Sequence, residues 1–257
     1  MLRHFAFLFL TLGLAVAASG QTAGKATGTQ KTTAGTKGRT AAAAASKNPV
    51  AVMHTTIGNL RCELFPDKAP KAVANFIGLA QGTKDWTNPT TKTVAHNKPL
   101  YDGTIFHRVI PDFMIQGGSP NGTSNVEDIG IKLEDELFPD LIFDKPGRLA
   151  YANSGPNTSS SQFFITEKVQ HSLDPCFSDQ PCPGQVARPH AGYTIFGQCD
   201  APSVVLVKKI ARMSRGQDDR PYDPVKIKHI DILNIKTAGT KPPARKTPGT
   251  KTTAPKN

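Results

Sequence analysis

The sequence predicts a mainly β protein, a β-barrel with helices at its ends. Two observations carry this prediction. Between residues 49 and 236, many short segments rich in β-branched and aromatic residues are separated by glycine and proline. Only two well-separated segments, 70–81 and 202–211, place apolar residues at helical spacing. Many short strands with two helices favour a barrel over a layered α/β fold.

The elements follow in order along the chain. A hairpin is predicted first, with strands 50–56 and 59–65 flanking Ile57-Gly58. Helix 70–81 begins with a proline and is followed by Gly82, both typical of helix ends. Further strands are predicted at 104–110, 113–117, 148–152, 162–166, 193–198 and 225–234, with the second helix at 202–211.

The first 20 residues are predicted to be a secretory signal peptide. Arg3 precedes an apolar stretch, and small residues follow it. The stretch is too short for a comfortable membrane span, and no second apolar run of spanning length follows. We therefore expect an exported protein, periplasmic or secreted after cleavage, with no membrane span.

The basic charge lies in the two ends of the chain. Residues 21–48 and 237–257 each carry five Lys/Arg and no acid, so residues 49–236 are formally neutral once Arg3 is set aside. Both ends have too few apolar residues to offset the conformational entropy lost on ordering. Both are therefore expected to be disordered, the first as a linker and the second as a tail. They are either solvated spacers or adhesive segments that contact anionic polymers.

Four cysteines, Cys62, Cys176, Cys182 and Cys199, fit two disulfides in an oxidising compartment. A local bridge between Cys176 and Cys182 is plausible, and Cys62 and Cys199 could pair if their strands are neighbours. The alternative is a zinc site built from His171, Cys176, Cys182 and His190. Their spacing fits no common zinc pattern, so no metal is predicted.

The candidate catalytic residues lie in the run 106–118, which reads FHRVIPDFMIQGG. The chain has no Gly-rich phosphate loop, no dinucleotide fingerprint and no Gly-x-Ser-x-Gly elbow. What remains is Arg108 among apolar and amide side chains, a cation suited to act on an uncharged amide.

This run closely resembles the signature of the cyclophilin-type peptidyl-prolyl isomerases. Residues 152–158 (ANSGPNT), 161–166 (SQFFIT) and 192–197 (GYTIFG) agree with the family in the same order. The resemblance implies a cyclophilin-like closed antiparallel β-barrel capped by two helices over residues 49–236. It also implies an isomerase that works without a cofactor and assists the folding of exported proteins.

The resemblance implies a set of site residues. Arg108 is the main catalytic group, with Gln116 and Phe113 beside it, and His107 is expected at the pocket rim. The remaining substrate-binding residues are Met114, Ala152, Asn153, Ser154, Gln162, Phe164, Leu173 and Tyr193. Because neighbouring residues in a strand face opposite sides, Phe163 is assigned to the core and Phe164 to the pocket.

Two other functions are consistent with parts of the sequence. One is a peptide-holding chaperone, supported by the apolar pocket, and the other is a scaffold attached to an anionic polymer through its ends. Arg108 argues against the first, since a pure binder has no need of the cation. The expected partners are proline-containing peptides and unfolded exported proteins, and we expect a monomer.

Overall fold

The computed structural model describes residues 47–125, 127–177 and 192–235. The predicted signal peptide at 1–20, nearly all of the 21–48 linker and the 237–257 tail lie outside these residues. Cys182 and His190 also lie outside them. Among the described residues, no helix is both long enough and apolar enough to cross a membrane.

The described chain is built mainly of strands, with two α-helices. The strands are β1 (Val50–Thr55), β2 (Gly58–Leu64), β3 (Trp86–Thr87), β4 (Val94–Ala95), β5 (Arg108–Ile110), β6 (Met114–Gly117), β7 (Arg148–Tyr151), β8 (Phe163–Thr166), β9 (Ile195–Cys199) and β10 (Ile227–Leu233). The helices are α1 (Pro70–Gln81) and α2 (Ala201–Ala211), with a short 3₁₀ helix at His171–Leu173.

Eight strands form one strongly curled antiparallel sheet in the order β10-β1-β2-β9-β7-β8-β6-β5. Its edge strands β10 and β5 are not joined by a ladder within the described residues. The segments just before them are linked by an antiparallel bridge between Ile105 and Lys226 and by the Phe106 N–H donating to Val225 O at 3.0 Å. Gly103 and Thr104 also exchange backbone hydrogen bonds with Ile227, at 2.7 and 2.8 Å. The mainly β fold with two helices is confirmed, and the predicted barrel closure is limited to this short stretch of backbone contacts.

The main core lies on the inner side of the sheet and is covered by α1. Phe76 of α1 is fully buried, and its ring packs against Tyr101 and, edge-on, against Phe163. Phe106 and Ile115 are also fully buried in this core. Phe164, the neighbour of Phe163, belongs to a second apolar cluster on the other face of β8. The predicted division between these two phenylalanines is confirmed.

The disulfide Cys62–Cys199 joins β2 to β9. The two cysteines are register partners on neighbouring antiparallel strands, which is the condition the sequence left open. None of the described cysteines is free. The predicted pairing of Cys176 with Cys182, and the alternative zinc site that includes Cys182 and His190, involve residues outside the described part.

The 83–99 segment contains structure that the sequence pattern did not indicate. β3 and β4 pair in a small two-stranded sheet, with Trp86 opposite Ala95. Trp86 is buried, and its indole N–H donates to Lys98 O at 2.9 Å. The buried indole therefore fixes this loop against the body of the domain.

Candidate active site

The β5–β6 hairpin sets the position of Arg108. Arg108 lies opposite Gln116 in register, and the turn between the strands passes through Asp112 in a left-handed conformation (φ 61°). Gly118 then lets the chain leave β6 at φ 84°, where a Cβ atom would lie 2.6 Å from Ser161 O. Only glycine fits this close approach, so the second glycine of the signature has a steric cause.

A cavity of about 220 Å³ opens beside this hairpin. Its walls combine apolar side chains with one guanidinium and two amides. The lining residues are Arg108, Phe113, Met114, Gln116, Ser124, Ala152, Asn153, Phe164, Leu173 and Tyr193. A second cavity of about 40 Å³ adjoins it and is lined by Gln116, Ser124, Ala152, Asn153, Ser154, Thr158, Ser160 and Gln162.

The apolar part of the larger cavity is built on Phe164 and Met114, both buried. The Phe164 ring stacks on Phe143 with centroids 5.8 Å apart, and Tyr193 meets it edge-on at 5.3 Å. These contacts leave the Phe164 ring little freedom to turn. Phe113 and Leu173 are partly exposed and pack against the same cluster. The result is a preformed apolar seat beside a cation.

Arg108 is held loosely. Its Nη1 donates to Gln116 Oε1 at 3.4 Å, and its Nε lies 3.7 Å from Asp219 Oδ2. Both distances are long for charge-assisted hydrogen bonds. The side chain is 34 % exposed, so guanidinium donors remain available to a bound molecule.

The orientation of Gln116 is fixed by a chain of amides. Gln162 donates through Nε2 to Asn125 O at 2.8 Å and to Thr123 O at 3.3 Å. Its oxygen therefore faces Gln116, whose Nε2 donates to it at 2.9 Å. Since the Gln116 nitrogen is directed at Gln162, the Gln116 oxygen is directed at Arg108. The backbone carbonyls of Thr123 and Asn125 thus ensure that the oxygen of Gln116, and not its nitrogen, faces Arg108.

Asn153 lies between the two cavities. Its side-chain amide donates to Gly192 O at 2.8 Å, which anchors it to the segment before β9. Within the described residues, the backbone N–H and C=O of Asn153 have no hydrogen-bond partner. Ser154 is held by its N–H donating to Thr158 Oγ1 at 2.8 Å. An extended peptide could pair with the backbone at this edge.

His107 differs from its predicted place at the pocket rim. It is 1 % exposed and lines neither cavity, because strand alternation turns it away from Arg108. Among the described residues, neither ring nitrogen makes a hydrogen bond of good geometry. The Ile105 backbone and the Gln162 side chain lie near enough to oppose the lowering of its pKa. Burial lowers the pKa of His107 to about 4, and the nearby charges of Arg220 and Arg108 act in the same direction. The ring is therefore neutral near pH 7.

A buried carboxylate supports the β5–β6 turn from behind. Glu167 accepts from the Asp112 N–H at 2.8 Å, and its own N–H donates to Phe113 O at 2.9 Å. Its other oxygen pairs with Arg212, the residue that caps the C-terminus of α2. Glu167 is only 2 % exposed. It therefore fixes the turn that presents Phe113 to the cavity.

Besides Thr158 and Ser160, which line the smaller cavity, sequence reasoning missed three residues of this site. Ser124 lines both cavities, Asp219 faces Arg108, and Glu167 supports the turn. Asp219 and Ser124 lie in polar loops with no periodic pattern. The only available signal for Glu167 was an acid placed directly after a buried apolar strand.

Comparisons with known proteins agree with this geometry. The family model described as cyclophilin type peptidyl-prolyl cis-trans isomerase/CLD matches residues 50–232. Peptidyl-prolyl cis-trans isomerase B of Streptomyces anulatus is 49 % identical over 186 residues, covering 71 % of this chain and 95 % of that protein. Peptidyl-prolyl cis-trans isomerase A of Mycobacterium tuberculosis is 44 % identical over 183 residues, covering 71 % and 91 %.

Solved structures give the same result. A cyclophilin type peptidyl-prolyl cis-trans isomerase of Cryptosporidium parvum has a TM-score of 0.54 and 31 % identity, covering 71 % of this chain and 96 % of that one. The crystal structure of the same protein in the presence of the dipeptide Ala-Pro has a TM-score of 0.53 and 30 % identity, covering 70 % and 96 %.

Proposed function

This chain belongs to the cyclophilin-type peptidyl-prolyl cis-trans isomerases, and on that premise we propose that Arg108 drives the isomerisation of X-Pro bonds in polypeptides that fold after export. The observation that carries the proposal is the loosely held guanidinium beside a preformed apolar seat.

The proposed mechanism is electrostatic. Amide resonance sets a barrier of about 18–20 kcal/mol to rotation of the peptide bond. In the twisted state the nitrogen lone pair is localised and the nitrogen becomes a hydrogen-bond acceptor. A guanidinium that donates to this nitrogen favours the twisted state over the planar one. The step moves no proton and forms no covalent bond.

The other site residues hold the substrate. The proline ring would sit against Phe113, Met114, Phe164 and Leu173, and the residues before it would extend past Ala152 towards Ser154. The backbone of Asn153 would pair with the peptide as an added strand does. Gln116, oriented by Gln162, would keep Arg108 aimed at the prolyl nitrogen.

The proposal that the substrates are exported proteins has two supports. Residues 1–20 have the charge and apolar pattern of a signal peptide. The Cys62–Cys199 disulfide is typical of proteins that fold in an oxidising compartment. Fusion of residues 1–48 to a reporter that is active only outside the cytoplasm tests this part, and an inactive reporter would contradict it.

The catalytic part is tested with Arg108→Ala. Removing one donor to a developing charge typically costs about 100-fold or more, so catalysis of a proline-containing tetrapeptide should fall by at least that factor. Arg61→Ala is the matched control, since Arg61 is an exposed arginine of β2 that lines neither cavity. A folded Arg108→Ala protein with unchanged turnover would refute the assignment.

A further inference from the structure

A cluster of two histidines and one aspartate lies on the solvent side of the β1–β10 pair. His54 of β1 is the register partner of His229 of β10, and Asp231 lies two residues further along β10. Alternate residues of a strand face the same side, so His229 and Asp231 point the same way. None of the three lines the cavities beside Arg108. The cluster is therefore a feature separate from the proposed active site.

The side chains of His54 and His229 both approach the Asp231 carboxylate. His54 Nε2 lies 3.0 Å from Asp231 Oδ2, and His229 Nε2 lies 3.7 Å from the same oxygen. The two imidazole rings are stacked, with centroids 4.3 Å apart and an angle of 18° between their planes. One ligand atom from each residue lies within 4.8 Å of the other two. Two ring nitrogens and one carboxylate oxygen thus share a small volume.

A β-bulge lies at this point of the ladder. His54 pairs with His229, but the next residue of β1, Thr55, pairs with Ile227, so Lys228 is skipped. Bulges re-aim side chains and are frequent beside functional sites. In a regular strand, His229 would face the same side as the buried Ile227, two residues before it. Because of the extra residue, Ile227 is buried while His229 is partly exposed. The irregularity coincides with the histidine pair.

We propose that His54, His229 and Asp231 form a binding site for a divalent transition-metal ion such as Zn²⁺. With metal–ligand bonds of about 2.0–2.1 Å, the ligand atoms of a tetrahedral zinc site lie about 3.3 Å apart. The two observed spacings to Asp231 Oδ2, 3.0 and 3.7 Å, lie on either side of that value. The ligand nitrogens of the two histidines lie within 4.8 Å of each other. Their nearly parallel rings must tilt towards each other before both nitrogens can bind one ion.

The donor set defines the class of ion. Imidazole nitrogens suit Zn²⁺, Cu²⁺, Ni²⁺ and Co²⁺, whereas Mg²⁺ and Ca²⁺ prefer oxygen ligands. The three residues are partly or fully exposed, so water can complete the coordination. The bound ion would join β1 and β10, which are neighbours in the sheet and its first and last strands along the chain.

The experiment uses the full chain without an affinity tag, stripped of metal with EDTA and titrated with Zn²⁺ by calorimetry. We expect one ion at this site per chain. At a concentration about one hundred times Kd, the midpoint of thermal unfolding should rise by about 5–10 °C. Co²⁺ should give a visible absorption spectrum with nitrogen ligands.

Three variants locate the ion: His54→Ala, His229→Ala and Asp231→Asn. Each should weaken Zn²⁺ binding at least tenfold, since even outer-shell partners of metal ligands are worth about 10–100-fold. His96→Ala is the matched control, because His96 also contacts an aspartate, Asp85 at 2.7 Å, in an exposed pair. Its Zn²⁺ affinity should stay unchanged.

Two outcomes would overturn the proposal. If the stripped protein binds no Zn²⁺, the cluster is an ion pair only. If it binds Zn²⁺ with the same affinity in Asp231→Asn and His229→Ala, the ion is held elsewhere. Asp231→Asn preserves shape at an exposed position, so a folded variant is available for this comparison.

Discussion

Arg108 and Arg212 each face a carboxylate, and the two pairs are held in opposite ways. Arg212 pairs closely with Glu167, which is almost completely buried and also accepts from the backbone of the β5–β6 turn. Arg108 lies 3.7 Å from Asp219, and both of these side chains are about one-third exposed. The Glu167 carboxylate has both oxygens bonded within the protein, although Arg212 itself is 49 % exposed. Asp219 is held closely by Arg215 at 3.0 Å and only loosely by Arg108. A tightly paired arginine stabilises structure, while a loosely paired one keeps donors for a ligand.

Arg108→Lys tests the role of the loosely held arginine and should have the largest effect on activity. Lysine keeps the charge but loses the planar fork, so it cannot contact Gln116, Asp219 and substrate together. We expect catalysis of a proline peptide to fall about 100-fold, with the free energy of unfolding changed by less than about 0.5 kcal/mol. Isomer exchange measured by NMR, together with urea unfolding, checks both parts. Full activity in the lysine variant would mean that charge alone is sufficient.

The tight pair should respond in the opposite sense. Glu167→Ala leaves the Asp112 N–H without its acceptor, so the free energy of unfolding should fall by about 1–3 kcal/mol. The half-exposed Arg212 would be solvated by water instead. Glu134→Ala is the control, because Glu134 pairs with Lys71 in an exposed ion pair of small expected value. Equal urea midpoints for the two variants would contradict the structural role of Glu167.

The buried His107, next to Arg108, should make the free energy of unfolding depend on pH. Its folded-state pKa of about 4 lies below the ordinary value of 6.5, chiefly because of burial, with Arg220 and Arg108 adding to the shift. Below pH 6.5 the unfolded chain binds a proton that the folded chain does not. Stability should therefore fall by about 2 kcal/mol between pH 7.5 and 5, and stay level above about pH 7.5 as far as this group is concerned.

Urea unfolding of the wild type and His107→Gln at the two pH values checks this expectation. The glutamine variant should lose less stability on acidification. Parallel losses in the two proteins would show that His107 is not responsible.

The smallest effect is expected for Asp219→Asn. Its pair with Arg108 is long and partly exposed, so removing the charge should change kcat/KM at most about threefold. Steady-state kinetics at low and moderate salt checks this. A loss as large as that of Arg108→Lys would mean that Asp219 holds the cation in its working position.

The elements that the sequence predicted well have local causes. Helix 70–81 matches α1 in both bounds, because Pro70 starts it and Gly82 ends it in a left-handed conformation (φ 71°). The second helix begins one residue earlier than predicted, at Ala201, since Asp200 caps it through the Ser203 N–H. Strand 104–110 shortens to Arg108–Ile110, because the backbone before it bonds to the segment around Val225 and Ile227 instead.

The site was predictable where its residues share one run or one matching block. Arg108, Phe113, Met114 and Gln116 all line the cavity, and Phe164 and Leu173 join them from later blocks. His107 was misplaced because its neighbour in sequence faces the other side of the strand. Asp219 was missed because only the folded chain brings it to Arg108 across more than one hundred residues. The pairing of His54 with His229 was hidden for the same reason.

The pairing of the first and last strands has a consequence for engineering. Val50 and Leu233 are register partners, so the described domain begins and ends at one place on its surface. A domain with adjacent ends can be inserted into a surface loop of a host protein with little strain on either. New termini could equally be opened in the exposed turn at Ile57 after joining the old ones. The cross-strand bonds of β1 and β2, rather than chain continuity, would then hold the new ends together.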